Sequence, residues 1–536
     1  MSGAGLKMGA SGPETREPKV GRPPTGSALL RVGVAFGVLC ALAMLTYAVP
    51  AGARVQVGPL DLELDRLKPW AAGDSPPLAR LFENWGEEEI PAFAGAGGSY
   101  QAPVELSAAM ESRLGKAVAA NLGEARGGGR ATGAAPTTGG GGGAAPAIRI
   151  EPQEYEGIDV DIENVANLRP FYEALERTAQ REPGALTRVG HYGDSSIATD
   201  LITHTIRRRL QGRFGDGGHG WLLIARGTMP YSHRDVRHRA SAAWELRQIV
   251  NNQDREGLYG YGGVAYRARP GAFAAFGTDR RGPVGDRVSR FALYYRRAPG
   301  GGRIRIRVDG GEPRNIETAA AEAADAVEVI NVPDGPHELE VRPGGGGQIR
   351  LYGVALERDG PGVVYDSLGL VGARARRLLH YGQEHLQTQM SQRSPDLVVL
   401  GFGGNEADDP ISRIPRYEEE FARVIRRMRA GRRETACLVF APLDQAQRDA
   451  YGRIVTMPTV PLIVEAQRNA ARREGCAFYN TFAAMGGEGA MREWARARPR
   501  LALADYRHAT PAGYEVIGNM YYKALLKGFA EYLRGR

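Results

Sequence analysis

Cysteine is scarce in this chain, which has only three cysteines in 536 residues. Cys40 lies in an apolar segment, whereas Cys437 and Cys476 lie in the C-terminal half. So few cysteines exclude a small secreted fold that depends on many disulfides. We expect Cys437 and Cys476 to be buried thiols near neighbouring strands, although a single bridge between them is compatible with the sequence.

The sequence also lacks the motifs of nucleic-acid-binding proteins. It contains no zinc-finger spacing, basic zipper or RNA-binding aromatic motif. Its formal net charge of +8 comes from arginines spread along the chain rather than gathered into one basic block. We therefore predict no nucleic-acid partner, and we expect the positive charge to suit an anionic environment such as a cell envelope.

Metal-ligand patterns are missing as well. His219, His233 and His238 lie close together in sequence, but no cysteine and no acidic residue at a suitable spacing accompanies them. We therefore predict neither a metal site nor a cofactor.

An apolar run at residues 32–49 is the first organised feature, and it contains no charged side chain. The basic segment before it, residues 1–31, is predicted to stay in the cytoplasm. The run is long enough to span a bilayer as a helix, but small residues at 51–53 also fit a signal-peptide cleavage site. The sequence thus allows a transmembrane anchor or a signal peptide. Residues 50–147 are predicted to be a low-complexity linker region, with Gly, Ala, Pro and Thr dominating from 124 onward.

Strands and helices alternate in the remainder of the chain, which predicts an α/β fold. The expected strands lie at residues 186–192, 362–365, 396–402, 435–441 and 477–480. Helices are expected between and after them, at residues 197–213, 417–430, 461–474 and 511–532. This alternation favours a doubly wound sheet of five parallel strands, whose carboxyl ends share one edge.

A candidate nucleophile follows the first of these strands. Gly193-Asp194-Ser195 separates the strand from the helix at 197–213, so Ser195 lies at a helix N-terminus, where backbone N–H groups can face a negative charge. A serine here can also be a simple helix cap. Its position directly after a strand favours the nucleophile.

The C-terminal region contains the partners that such a serine needs. Thr510 and Pro511 are a typical N-cap and first residue of the last helix, so Asp505 and His508 lie on the loop before it. A carboxylate three residues from an imidazole can bond one ring nitrogen and leave the other for Ser195.

Two further turns lie between these ends. Gly372, with Gly369 as a competing candidate, follows the predicted strand at 362–365, and Gly403-Gly404-Asn405 follows the strand at 396–402. Together with Gly193-Asp194-Ser195 and with Asp505 to His508, these segments resemble the motif blocks of the SGNH or GDSL hydrolase superfamily, in the same order.

That resemblance implies a flavodoxin-like sheet and assigns roles to particular residues. Ser195, Asp505 and His508 would form a catalytic triad. The backbone N–H groups of Ser195 and Gly372 and the side-chain amide of Asn405 would form an oxyanion hole.

A long segment separates the first block from the second. Residues 216–359 alternate apolar and polar positions between Gly and Pro turns, which predicts an inserted β-sandwich between two parts of the hydrolase domain, 148–215 and 360–536. Such an insertion resembles that of bacterial peptidoglycan O-acetylesterases, where it is similar to carbohydrate-binding modules. Tyr259, Tyr261 and Tyr294 could stack on sugars, but we expect them to pack in the core.

The resemblance implies a serine esterase that removes O-acetyl groups from an O-acylated glycan of the cell envelope, with peptidoglycan as one candidate. It would act on the periplasmic or extracellular side, either held at the inner membrane by residues 32–49 or secreted. One alternative is an O-acetyltransferase with the same triad, which the absence of a multi-span domain to deliver an acyl donor disfavours. The other is a non-catalytic glycan-binding protein with a relic hydrolase domain, against which Ser195, Asn405, Asp505 and His508 argue.

Overall fold

The computed structural model describes residues 54–57, 60–63, 115–126, 148–227, 231–251, 254–432 and 434–536. The predicted cytoplasmic segment, the apolar run at 32–49 and most of the linker region lie outside these residues. Of the helices that are described, none is both long and apolar enough to cross a membrane. The chain forms two compact units, Met1–Gly98 and Ser99–Arg536. In the first, β1 (Arg54–Val57) and β2 (Leu60–Glu63) pair as an antiparallel hairpin.

The second unit begins with the helices and the strand that precede and follow the candidate nucleophile in sequence. In chain order they are α1 (Lys116–Arg126), α2 (Arg169–Ala179), β3 (Leu186–Gly193), α3 (Ser195–Ala198) and α4 (Leu201–Phe214). The helix predicted at 197–213 is therefore two helices. The break falls at Asp200, whose backbone is left-handed with φ +57° and whose carboxylate binds the side chains of Thr203 and Arg207. A short polar side chain that bonds locally makes this conformation tolerable.

Two antiparallel sheets occupy the segment predicted as an insertion. Their strands are β4 (Gly220–Leu223), β5 (Val236–Ala240), β6 (Trp244–Gln248), β7 (Val264–Ala268), β8 (Ala274–Thr278), β9 (Val288–Arg297), β10 (Arg303–Val308), β11 (Arg314–Glu317), β12 (Ala324–Gly335), β13 (Glu338–Gly345) and β14 (Arg350–Glu357). One sheet has the order β11-β10-β13-β8-β5, and the other has β12-β9-β14-β7-β6 with β4 beside β14. Tyr259, Tyr261 and Tyr294 are buried in the shared core, as expected.

The last part of the chain completes the α/β region. Its elements are β15 (Gly362–Gly369), α5 (Gln383–Arg393), β16 (Leu397–Gly401), α6 (Ile414–Arg429), β17 (Ala436–Phe440), β18 (Ala446–Arg448), β19 (Ile454–Thr456), α7 (Thr459–Arg473), β20 (Ala477–Tyr479), α8 (Thr481–Ala484), α9 (Ala490–Arg496) and α10 (Pro511–Arg534). The parallel sheet has the order β15-β3-β16-β17-β20. In order of sequence this is 2-1-3-4-5, the flavodoxin-like order, so the predicted fold of this region is confirmed.

The two C-terminal cysteines form a disulfide, which corrects the expectation of free thiols. Cys437 lies in β17 and Cys476 directly precedes β20, and these two strands are neighbours in the parallel sheet. Their Cα atoms are 4.8 Å apart. That separation lies within the range that a disulfide requires.

A buried ion network joins the inserted sheets to the parallel sheet. Arg393, at the end of α5, binds both carboxylate oxygens of Asp366 in β15, at 2.7 Å each, and also contacts Glu357 at the end of β14. Arg188 in β3 binds the same Glu357 through two hydrogen bonds of 2.8 and 3.0 Å. The Asp366 carboxylate also accepts the backbone N–H of Trp221 in β4. Each buried charge is thus matched by an opposite charge, which offsets the cost of removing it from water.

Candidate active site

The turn after β3 places Ser195 at the carboxyl edge of the parallel sheet. Gly193 ends the strand, and a Cβ there would lie 2.7 Å from the carbonyl oxygen of Gly401 in β16, so only glycine fits. Asp194 then caps α3, because its carboxylate accepts the backbone N–H of Ser196 at 3.0 Å and the Ser196 hydroxyl at 2.8 Å. Ser195 is the first residue of that helix.

The loop before α10 brings an imidazole to this serine. The hydroxyl of Ser195 lies 3.0 Å from Nε2 of His508, although the two residues are 313 positions apart. His508 Nδ1 lies 2.7 Å from one carboxylate oxygen of Asp505. The other oxygen of Asp505 accepts the backbone N–H groups of Arg507 at 3.0 Å and of His508 at 3.1 Å.

This arrangement selects a protonation state. Because an ionised Asp505 can only accept, Nδ1 of His508 carries the proton, and Nε2 is left to accept the hydroxyl proton of Ser195. Burial alone would raise the pKa of Asp505, but the hydrogen bonds from His508 and the backbone outweigh it and lower the pKa below its usual range. The same bond to Asp505 raises the pKa of His508. The three side chains can therefore generate a nucleophile at Ser195.

The raised pKa of His508 leads to a prediction about pH. Only the neutral imidazole can accept a proton, so kcat/KM should fall as pH decreases through the His508 pKa. Since Asp505 stabilises the imidazolium, the midpoint of this fall should lie above about 6.5, the usual value for histidine. A pH profile of ester hydrolysis measures it, and a midpoint well below that value would contradict the assigned ion pair.

The segments predicted to form the oxyanion hole contact one another beside this site. The amide nitrogen of Asn405 donates to the carbonyl oxygen of Ala373 at 2.9 Å, directly after Gly372. Gly372 lies on an exposed turn with φ +75°. Gly369, the competing glycine, lies within β15, and a Cβ there would approach Ala198 Cα in α3 to 2.7 Å. Close packing against the serine helix thus explains Gly369, and Gly372 remains the candidate donor.

A buried carboxyl group supports the same segments, and sequence reasoning missed it. One Glu406 oxygen accepts the backbone N–H of Ala375 at 2.8 Å, so Asn405 and Glu406 together fix the turn that contains Gly372. Burial raises the pKa of Glu406 to about 7 and also raises the pKa of the neighbouring Asp194. In the sequence, Glu406 is marked only by its position directly after Asn405.

A salt bridge links the loop of Asp505 and His508 to the segment that follows Asn405. The guanidinium of Arg507 binds both carboxylate oxygens of Asp408 at 2.8 Å each, in a bidentate pair. Asp408 follows Glu406 on the same short turn of helix. The loop that carries His508 and the turn that carries Asn405 are therefore joined at the surface.

Two of the histidines that were rejected as metal ligands do meet. His219 and His233 lie with Asp200 so that one ligand atom from each falls within 4.8 Å of the others. However, Nε2 of His219 and Nδ1 of His233 share a hydrogen bond of 3.0 Å, and Asp200 is held by the guanidinium of Arg207 at 2.8 and 3.0 Å. His238 instead stacks on Phe276. A cation would have to displace these bonds next to a buried guanidinium, so this donor set fits a hydrogen-bonded cluster better than a metal.

Part of the chain matches a known protein family. Residues 335–516 match the GDSL-like Lipase/Acylhydrolase family. This range includes Gly372, Asn405, Asp505 and His508, whereas Ser195 lies before it. The chain matches no curated protein sequence.

Comparison with solved structures gives a match to a peptidoglycan O-acetylesterase. It is 22% identical, with a TM-score of 0.57, over 68% of this chain and 97% of the other. A family two carbohydrate esterase from Cellvibrio japonicus matches at 12% identity over 45% and 85% of the two chains, with a TM-score of 0.18. A family 2 carbohydrate esterase with a carbohydrate binding domain, from Corynascus thermopiles (Myceliophthora fergusii), matches at 13% identity over 55% and 99%, with a TM-score of 0.25. Of these three structures, the peptidoglycan O-acetylesterase has a TM-score above 0.5, and its likeness to this chain is one of fold.

Proposed function

We propose that this SGNH-type ester hydrolase removes O-acetyl groups from an O-acetylated glycan of the cell envelope, through an acyl-enzyme on Ser195. The observation that carries the proposal is the continuous chain of hydrogen bonds from Ser195 through His508 to Asp505. Serine, imidazole and carboxylate in this order are the arrangement that activates a hydroxyl for attack on an ester carbonyl. The flavodoxin-like sheet and the family match support the same reaction class.

In the first step, the Ser195 oxygen attacks the acetyl carbonyl carbon while Nε2 of His508 takes the hydroxyl proton. The negative charge that develops on the carbonyl oxygen is stabilised by the N–H groups of Ser195 and Gly372 and by the second amide hydrogen of Asn405. His508 then gives its proton to the sugar oxygen, the C–O bond breaks and the sugar hydroxyl leaves.

In the second step, water replaces the sugar hydroxyl. His508 removes a proton from water as the water oxygen attacks the acetyl carbon of the acyl-enzyme. The bond to Ser195 breaks, His508 returns a proton to the serine oxygen and acetate leaves. Each group returns to its starting protonation state, so no cofactor is consumed.

We also propose that the reaction takes place outside the cytoplasm. The apolar run at residues 32–49 would either anchor the chain in the inner membrane or be cleaved as part of a signal peptide. The disulfide between Cys437 and Cys476 supports this location, because disulfides persist in oxidising compartments and are rare in the cytosol. The substrate would then be a glycan on the outer side of the inner membrane, with peptidoglycan as the first polymer to test.

The test is acetate release from O-acetylated peptidoglycan and from 4-nitrophenyl acetate. We expect the protein to release acetate from both, and to release none from peptidoglycan that alkali has already de-O-acetylated. Transfer of acetyl groups to an added glycan acceptor in excess of hydrolysis would instead indicate an acetyltransferase. Absence of activity on every ester would contradict the proposal and favour a glycan-binding protein.

A further inference from the structure

Tyr451 is an unusually exposed aromatic side chain. It is 84% exposed, whereas the other exposed large apolar side chains among the described residues are aliphatic and are 39–52% exposed. Tyr451 lies on the turn that joins β18 to β19. Tyrosine combines an apolar ring with a polar hydroxyl, and it is enriched at binding surfaces for that reason.

The turn around this ring is rigidly built. The carboxylate of Asp449 accepts the backbone N–H groups of Tyr451 and Arg453 at 2.9 Å each, and the Arg453 side chain at 2.7 Å. The guanidinium of Arg453 lies over the Tyr451 ring, 5.2 Å from its centroid. One face of the ring is thus covered by a cation, and the other face is open to solvent. Fixing the ring in advance lowers the entropic cost of binding.

The hairpin that presents this ring is joined to the triad loop. The backbone N–H of Ala446, the first residue of β18, donates to the carbonyl oxygen of Tyr506 at 2.9 Å. Tyr506 lies between Asp505 and His508. Tyr451 lies five positions after Ala446, so their Cα atoms are at most about 17 Å apart in an extended strand. The ring is therefore carried on a short hairpin whose first strand contacts the loop of Asp505 and His508.

We propose that Tyr451 is a stacking platform for a sugar ring of the glycan strand, near the O-acetylated sugar held at Ser195. This inference rests on the proposed function. The C–H face of a pyranose is apolar and matches the open face of the tyrosine, while its hydroxyl groups lie at the rim.

The surroundings of Tyr451 fit a sugar better than a protein. Arg448, Asp449 and Arg453 are polar neighbours on the same hairpin that can bond sugar hydroxyls at the edge of the ring. A stable protein partner would need about 800 Å² of contact on this side, with several apolar groups at its centre, whereas Tyr451 is a single ring among charged residues.

The test compares Tyr451→Ala and Tyr451→Phe with the parent on two substrates. For O-acetylated peptidoglycan, Tyr451→Ala should raise KM about 2- to 10-fold with little change in kcat, because stacking adds binding energy away from the reacting atoms. Tyr451→Phe keeps the ring and should retain most of the parental KM. For 4-nitrophenyl acetate, which has no neighbouring sugar, both variants should match the parent. Val329→Ala, on β12 of the inserted sheets, is a control for loss of an exposed apolar side chain.

A binding measurement separates this inference from the esterase itself. In a Ser195→Ala background, Tyr451→Ala should weaken sedimentation of the protein with insoluble peptidoglycan by a similar factor. Unchanged KM and unchanged binding, with acetate still released by the parent, would overturn the stacking role and leave the proposed function intact. A loss of 4-nitrophenyl acetate activity in Tyr451→Ala would also overturn it, since the hairpin would then act by supporting the triad loop. Failure of the parent on all esters would overturn both proposals.

Discussion

Replacing Ser195 with alanine should lower kcat for acetate release by about 10⁵-fold, on both peptidoglycan and 4-nitrophenyl acetate. The Ser195 hydroxyl oxygen is the atom that forms the acyl-enzyme, and among the described residues no other hydroxyl bonds Nε2 of His508. Replacing this serine with alanine should not strain the structure, because the side chain is partly exposed at the start of α3. The variant should therefore fold normally and keep its affinity for the glycan.

A matched substitution tests whether the loss is specific. Ser391→Ala changes an exposed serine on α5 and should leave kcat within a factor of about two. Circular dichroism and thermal unfolding of both variants would confirm the fold. A Ser195→Ala variant that kept a tenth or more of the parental kcat would mean that another group attacks the ester.

Asp505→Asn should lower kcat by about 10³- to 10⁴-fold. One oxygen of Asp505 accepts two backbone N–H groups, so the carbonyl oxygen of the asparagine would take that position. Its NH₂ group would then face Nδ1 of His508, which would have to become an acceptor. The ring proton would move to Nε2, where it prevents His508 from accepting the Ser195 proton. Steady-state kinetics with 4-nitrophenyl acetate measures the loss.

The pH profile of Asp505→Asn gives a second readout. Without the carboxylate, the imidazolium of His508 loses its partner, so the acidic midpoint of the residual activity should move to lower pH than in the parent. Asp359→Asn, an equal change of charge at an exposed position in the segment 216–359, should alter neither kcat nor the midpoint. An Asp505→Asn variant with parental activity would show that His508 needs no carboxylate to act as base.

Much of the parallel sheet and of the triad could be predicted because both are encoded locally. Strands that end in glycine, β3 at Gly193 and β16 at Gly401, precede the turns of the site, and Thr510-Pro511 marks the start of α10. The carboxyl ends of parallel strands meet at one edge of the sheet, which is why residues more than three hundred positions apart could be expected to meet.

Other features depend on contacts that the sequence does not display. The break at Asp200 depends on Arg207, seven residues later, whose guanidinium must fold back onto the carboxylate. The sequence predicts that Cys437 and Cys476 lie near neighbouring strands, but the bond between them depends on a Cα–Cα separation of 4.8 Å that forms only in the folded sheet. The raised pKa of Glu406 depends on burial of its carboxyl group against the segment that contains Ala375. In each case the feature depends on a contact that forms only in the folded chain.

The ion network around Arg393 bears on whether residues 216–359 could be removed from the protein. Glu357 belongs to the inserted strands, whereas Arg188, Asp366 and Arg393 belong to the α/β region. A shortened chain without residues 216–359 would retain the buried Arg393 and the half-buried Arg188 for a single carboxylate, Asp366. A fragment without these residues would thus require compensating neutral substitutions, because the extra sheets share buried ion pairs with the α/β region.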